Sequence, residues 1–358
     1  MTLTEVRGDP FTVDPAWLTT VLESGGLARG ARVVDVGPLA FVGTGQTGRN
    51  VRFPLKWDEP DGRPSSVVGK FPTDDEAART AAFGNGTYYK EHVFYTHLRP
   101  TVEIRTPEVY GALYDETAPD FVIVMEDLAD SVQGDQLQGL AVDEAALGIE
   151  QAVALHAPRW GDESLTELTG ATREEAAQLL EAMYGAMLDG TLERLGPRLD
   201  DESVTLARAL APVIGRWALG TDTPSTLVHM DFRPDNFLFG TTADAPPLVV
   251  VDWQTIAYGL ATSDVAYLLG GSFEPDERAE VERDLLEEYR GRLQACGIDY
   301  ESDTCWRDYR FGAVWGVAMS VIATMLAEQT ERGDELLATM LRRHAHHVLD
   351  LDAVDLLR

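Results

Sequence analysis

Cysteine is nearly missing from this chain: its 358 residues include two, Cys296 and Cys305, close together late in the sequence. That excludes a disulfide framework as the organising principle and makes a reducing cytoplasm the expected compartment. Cations are scarce too, with Lys+Arg 29 against Asp+Glu 60 and a formal net charge of −31. Such a charge repels phosphate backbones and anionic membrane surfaces, so nucleic acid is not an expected partner. No basic-apolar-small signal segment opens the sequence. The most apolar run, Phe311 to Ala327, falls short of the ~18 residues that a spanning helix needs, so it reads as a buried helix and no membrane span is expected.

What remains is globular in balance, 44% hydrophobic and 25% charged. The length is about twice the ~150 residues of one domain, which predicts two regions. From about Ala31 to Asp127 short alternating runs and turn dipeptides such as Asp61-Gly62 predict strands. From about Asp143 onward the pattern is helical, with a strand-like interruption between Thr226 and Ala257. The polar DLADSVQGDQLQG lies between them, so the expected division is 1–127 and 128–358.

Several helix starts are signed. Asp14-Pro15 predicts an N-cap with proline at the first helical position, and the helix should end at Gly25-Gly26. Thr172 and Glu175 form a capping box ahead of Leu179, Leu180, Met183, Tyr184 and Met187, an apolar stripe that reads as core. His344, His346 and His347 in RRHAHHV cannot all share one helical face. They read as a solvated helix rather than a zinc site.

Five stretches carry chemistry. In FVGTGQTGRN, Gly43, Gly45 and Gly48 match GxGxxG, but Val51, Phe53, Leu55 and Trp57 alternate with polar residues behind them, so a strand follows instead of a helix. The glycines therefore sit in a hairpin, either folding over phosphates or making a plain turn. SSVVGKFP is a strand carrying Lys70. In TYYKEHVFYTHL, Glu91 falls on one helical stripe with Tyr88, Tyr95 and Leu98. A carboxylate there needs a partner, for which Lys70 is the candidate, unless it snorkels to solvent. FVIVMEDL reads as a buried strand whose end, Glu126 and Asp127, either adjoins a nucleotide's adenine edge or is simply polar.

The fifth, HMDFRPDN with LVVVDWQ behind it, fits phosphoryl transfer to a hydroxyl. Such chemistry needs a carboxylate to orient the alcohol and accept its proton, and oxygen ligands for Mg²⁺. Asp231 can supply the first, and Asn236 with Asp252 the second.

The order GTGQTG, Lys70, Glu91, HMDFRPDN, VDWQ resembles the aminoglycoside phosphotransferase and choline kinase superfamily of protein-kinase-like enzymes over roughly residues 40 to 270. KEHVFYTHL, VMEDL, LHAPRW and VVDWQ…ATSDVAYLL resemble most closely its ecdysteroid-kinase-like branch. The resemblance implies an α+β bilobal protein-kinase-like fold, with a small, mainly antiparallel β N-lobe carrying a helix and a larger, mainly helical C-lobe. It also implies ATP and Mg²⁺ as cofactors and a small-molecule hydroxyl acceptor, apolar and steroid-like or an amino-alcohol. Lys70 would lie on the ATP phosphates, held by Glu91. Asp231 would be the catalytic base, Asn236 and Asp252 would bind Mg²⁺, His229 would brace the loop and Asp264 would support it. Arg233, where protein kinases commonly carry lysine, meets the transferring phosphate or forms a structural ion pair. The alternative is a non-catalytic kinase-like protein that binds a nucleotide or lipid.

Overall fold

The computed structural model of the chain describes residues 5–43, 48–168 and 172–358. It divides into two compact units, one of 1–101, 106–131 and 251–255, the other of 102–105, 132–250 and 256–358. Val251–Thr255 thus belongs with the first unit, although the sequence division at 127/128 would give Asp252 to the second.

The first unit is built on an antiparallel sheet of β1 (Val33–Val36), β2 (Ala40–Val42), β3 (Gly48–Trp57), β4 (Ser66–Pro72), β5 (Val109–Tyr114) and β6 (Phe121–Glu126). The order is β1-β3-β4-β6-β5, with β2 also paired to β3. Alternation along β3 turns Val51, Phe53 and Trp57 inward. Helix α1 (Pro15–Ser24) covers that face with Trp17, Leu18, Val21 and Leu22. Its start is fixed as the sequence predicts: the Asp14 carboxylate accepts the Trp17 N–H at 2.8 Å. Between β3 and β4 the chain turns at Gly62, whose φ of +71° suits glycine. Helices α2 (Glu76–Gly84) and α3 (Thr87–Val93) follow β4, and α3 runs on through a π-helical turn, Phe94–Leu98.

The second unit is mainly helical. Its long helices are α4 (Val142–His156), α5 (Arg173–Leu195), α6 (Asp201–Leu210), α8 (Thr262–Ser272), α9 (Pro275–Ala295), α10 (Ser302–Leu326) and α11 (Glu331–Asp350), with a one-turn α7 (Gly215–Ala218). The Thr172–Glu175 capping box opens α5, which buries Leu180, Tyr184 and Leu188 but leaves Leu179 60% exposed. After the short strand β7 (Ser131–Gln133), two antiparallel pairs carry the loops of interest: β8 (Thr226–Val228) with β11 (Ala257–Gly259), and β9 (Phe237–Gly240) with β10 (Leu248–Val250). Helix α8 is buried along its whole length. Gly312 of α10 makes this possible, because a Cβ there would come within 2.9 Å of the Ser263 Cα. Helix α10 extends further toward its N-terminus than the apolar run suggests. By length and composition it could cross a membrane, yet 67% of its apolar 18-residue stretch is buried inside the protein.

The histidines of RRHAHHV correct the sequence reading. His344 is 1% and His347 0% exposed, so this face of α11 is core and not solvated. His344 stacks on Tyr267 at 5.0 Å and 5°. Room for the ring comes from Gly270, Gly271 and Gly316 on the other helices; at Gly316 a Cβ would lie 2.1 Å from the His344 Nδ1. Burial, with His347, Arg278 and Arg343 nearby, holds the His344 pKa well below its ordinary value. The unfolded chain therefore binds a proton near pH 6.5 that the folded chain refuses, so stability is present above that value and is lost as pH falls below it. The expected slope is about 1.4 kcal/mol per pH unit. Thermal melts at pH 7.5 and 5.5 should show a larger loss for the wild type than for His344→Phe, which keeps the stacked ring without the titration. Equal losses would refute the assignment.

Candidate active site

In the first unit the sequence stripe becomes a charged triangle. Tyr88, Glu91, Tyr95 and Leu98 all face inward, and Glu91 is 1% exposed, which rules out the snorkelling alternative. The Lys70 ammonium on β4 donates to Glu91 at 2.8 Å and to the Asp252 Oδ1 at 3.0 Å. Gln254 donates to the other Glu91 oxygen at 3.0 Å. Trp253 anchors this segment by stacking on Phe94 at 3.7 Å and 3°. Burial disfavours the charged Lys70, but Asp252 and Glu91 outweigh it and raise the lysine pKa above its ordinary value. Burial likewise pushes the Glu91 carboxyl upward against the pull of Lys70. A buried ammonium shared by two carboxylates stays charged and fixed in place. Asp252 sits at φ +68°, a conformation costing an L-residue roughly 1–2 kcal/mol, and its side chain is 35% exposed.

The other first-unit candidates are placed differently. Gly43 has φ +75°, and Gly45 lies outside the described residues. Gly48 is a buried residue of β3, where a Cβ would meet the Phe71 carbonyl at 3.0 Å and the Lys70 Cε at 3.3 Å. It is required by packing beside Lys70. Asp127 accepts both Arg52 Nε and Nη2, at 2.6 and 2.9 Å, and the Ser66 hydroxyl at 2.6 Å. Glu126 accepts the Glu108 N–H at 3.1 Å. Both side chains are hydrogen-bonded within the sheet, as the polar strand-end reading expects.

In the second unit the loop between β8 and β9 collects the rest. The His229 and Met230 N–H groups donate to the two oxygens of Asp264, at 2.7 and 2.8 Å. His156 reaches Asp264 at 3.2 Å and the Tyr289 hydroxyl at 2.8 Å. Trp315 donates to the Met230 carbonyl at 2.8 Å. Both peptide groups of Met230 are thereby engaged while it holds a φ of +69°. His229 is fully buried, and its Nδ1 accepts the Asp231 N–H at 3.3 Å. It braces the loop, as does Asp264.

Asp231 is held by three side chains. Asn236 Nδ2 donates to Oδ2 at 2.9 Å, Arg233 Nε lies 2.9 Å from Oδ1, and the Tyr267 hydroxyl donates to Oδ1 at 3.2 Å. Burial opposes ionisation of Asp231, but Arg233, His229 and the Asn236 hydrogen bond outweigh it and hold the carboxyl below its ordinary range. Arg233 also pairs with Asp235 at 2.6 Å, so of the two sequence alternatives the ion pair is the one formed here. Because the Asn236 amide nitrogen is committed to Asp231, its oxygen is the atom left for a cation.

Gln254, Tyr267 and Trp315 were not singled out in the sequence. Tyr267 had a readable signal, standing three residues after Asp264 on one helix and so on the same face. Trp315 had none, because it lies inside the apolar run of α10.

Among the described residues no group of three or more His, Cys, Asp or Glu could hold a metal by itself. A single carboxylate such as Asp252 suits Mg²⁺, which keeps waters and phosphates as its remaining ligands, better than it suits zinc or calcium.

A model of the phosphotransferase enzyme family matches residues 55–302. No curated protein sequence matches the chain. Solved structures share its fold at low identity. One is a candidate aminoglycoside phosphotransferase from Ralstonia eutropha JMP134, with 15% identity and a TM-score of 0.53 over 96% of this chain and 97% of that one. Another is choline kinase from Cryptosporidium parvum Iowa II, with 9% identity and a TM-score of 0.52 over 89% and 90%. A third is Plasmodium vivax ethanolamine kinase, with 11% identity and a TM-score of 0.51 over 89% and 83%.

Proposed function

The chain belongs to the phosphotransferase enzyme family, and from that premise we propose that it transfers the γ-phosphate of ATP to the hydroxyl of a small molecule. The observation that carries this reading is Lys70, an ammonium buried between Glu91 and Asp252 and kept charged there. A lysine so held is a fixed cation for phosphate oxygens. Asp231, ionised by its neighbours, orients the acceptor hydroxyl and takes its proton. The low basicity that Arg233 imposes suits a loose transition state, in which positioning outweighs early proton removal. Asp252 of the first unit is the proposed Mg²⁺ carboxylate; within the second unit the Asn236 oxygen is a cation-ligand candidate in its own right. Mg²⁺, when bound, neutralises charge on the phosphates.

Charge and the proteins of like fold support a proposal for the acceptor class. At −31 the chain favours cationic molecules, and proteins of its fold include an ethanolamine kinase and a choline kinase. An amino-alcohol or aminoglycoside is therefore the first acceptor proposed, and a steroid-like alcohol the second. The cytoplasm is the compartment proposed, where ATP is available. A screen with labelled ATP over choline, ethanolamine, kanamycin and cholesterol, read by mass spectrometry, tests this. Nucleotide binding with no phosphorylated product from these or from a metabolite extract would favour a non-catalytic binder.

Asp252→Ala checks the metal assignment. It should weaken ATP binding in the presence of Mg²⁺ by about tenfold or more and leave metal-free binding nearly unchanged, since it removes the one carboxylate proposed as a ligand. Calorimetric titration of ATP with Mg²⁺ and with EDTA decides. An unaltered metal dependence would make Asp252 only a partner of Lys70.

A further inference from the structure

We infer that Tyr267 is a positioning residue for the transfer reaction, holding the Asp231 carboxylate in its working orientation through its hydroxyl. The inference rests on Asp231 having the role proposed above. Helix α8 brings two functions to one face: Asp264 holds the backbone of His229 and Met230, and one turn later the Tyr267 hydroxyl reaches the Asp231 Oδ1 at 3.2 Å. The helix that fixes the loop's main chain thus also fixes the side chain that leaves it.

The Tyr267 ring has little freedom of its own. It is 1% exposed, and its face is covered by His344, 5.0 Å away and within 5° of parallel. His344 is itself wedged against Gly270 and Gly316, positions where a single Cβ would collide with the imidazole. Burial, reinforced by Asp231, raises the phenol pKa well above its ordinary value, so the hydroxyl keeps its proton and acts as a donor. A carboxylate on one loop residue can rotate about its χ angles. Here Asn236 fixes one oxygen, while Arg233 and Tyr267 fix the other. Arg233 is shared with Asp235 and is 20% exposed, so Tyr267 is the rigid member of the set. Orientation of a reacting group within about 1 Å is worth up to a hundredfold in rate.

The test compares wild type, Tyr267→Phe, Asp231→Asn and the double variant in ATP·Mg²⁺ turnover with the most active acceptor of the screen and with water as acceptor. Thermal melts accompany the kinetics. Tyr267→Phe keeps the ring, its stack on His344 and the volume, and removes only the hydroxyl. The expected result is a kcat lowered about tenfold with both KM values within twofold, because the hydroxyl orients Asp231 and touches neither nucleotide nor acceptor. In the Asp231→Asn background the same change should have no further effect on rate, and the two melting-temperature shifts should not add. A Tyr267→Phe enzyme with unchanged kcat overturns the inference, as does a loss that appears in KM alone. Additive melting shifts overturn it even without turnover, since they show that the two groups are not coupled. If Asp231→Asn itself retains full turnover, the reading of Asp231 falls and this inference with it. If only Tyr267→Phe is silent, the reading of Asp231 stands.

Discussion

Asp231→Asn is expected to lower turnover by about 10² to 10⁴ while leaving ATP·Mg²⁺ binding within a few-fold of wild type. The size follows from what the carboxylate is proposed to do, which is orient the hydroxyl and accept its proton. Nucleotide binding is assigned to other groups. The variant should also fold. His229 and Met230 remain tied to Asp264, the Met230 carbonyl remains bonded to Trp315, and Arg233 keeps Asp235. What changes locally is one acceptor. Asn236 and Tyr267 both donate to Asp231, and an amide offers one oxygen where the carboxylate offers two, so one donor loses its partner. A modest fall in melting temperature is the expected cost. Steady-state turnover and isothermal titration with ATP·Mg²⁺ on the same preparation separate the outcomes. Near-normal turnover in this variant would remove Asp231 from the reaction. Loss of nucleotide binding in parallel with turnover would mean that the loop, and not the base, had been damaged.

The parts of this site that were legible in the sequence are those written in local periodicity. Period two in VRFPLKW gave β3, and the helical stripe of Tyr88, Tyr95 and Leu98 placed Glu91 on a buried face before any partner was known. The spacing within HMDFRPDN put Asp231 and Asn236 on one short loop, where an amide hydrogen bond joins them at 2.9 Å. The illegible parts depend on neighbours distant in sequence. Asp252 follows β10 directly, and nothing in LVVVDWQ shows that Val251–Thr255 packs with the first unit; the stack of Trp253 on Phe94 does that across 159 residues of sequence. RRHAHHV looks solvated because its charges are visible and their partners are not. Arg343 is 4% exposed and donates to the carbonyls of Gln136 and Gly271, both at 2.9 Å, while glycines on two other helices make room for His344. At Asp127 too the partners are distant in sequence: Arg52 of β3 and Ser66 of β4 both bond its carboxylate, and no local pattern around VMEDL announces them.

The triangle of Lys70, Glu91 and Asp252 gives the other large effect, and it separates a positioning role from a structural one. Lys70→Ala should lower kcat/KM for ATP by about 10² to 10³, the scale on which removal of one fixed charge donor acts in a transition state. It also leaves Glu91 buried without its ammonium partner, although Gln254 still donates to it, so some loss of stability is expected and a melt must accompany the kinetics. Glu91→Gln keeps the volume but loses the charge, and the Lys70 ammonium would then lean toward Asp252, 3.0 Å away on its other side. The lysine stays in the protein but is drawn toward the acid proposed for the metal, so a smaller loss of about tenfold is expected. The double variant should be scarcely worse than Lys70→Ala, because Glu91 acts only through the lysine it holds. Multiplicative losses in the double variant would show that Glu91 supports the first unit independently of Lys70. A silent Lys70→Ala would remove the ammonium from the phosphates altogether. Between those outcomes, Asp252→Ala in the Glu91→Gln background leaves Lys70 with neither carboxylate. If the lysine's placement is what the triangle provides, ATP binding measured without Mg²⁺, where loss of the proposed metal ligand does not enter, should fall in that variant to the level of Lys70→Ala although its ammonium is still present.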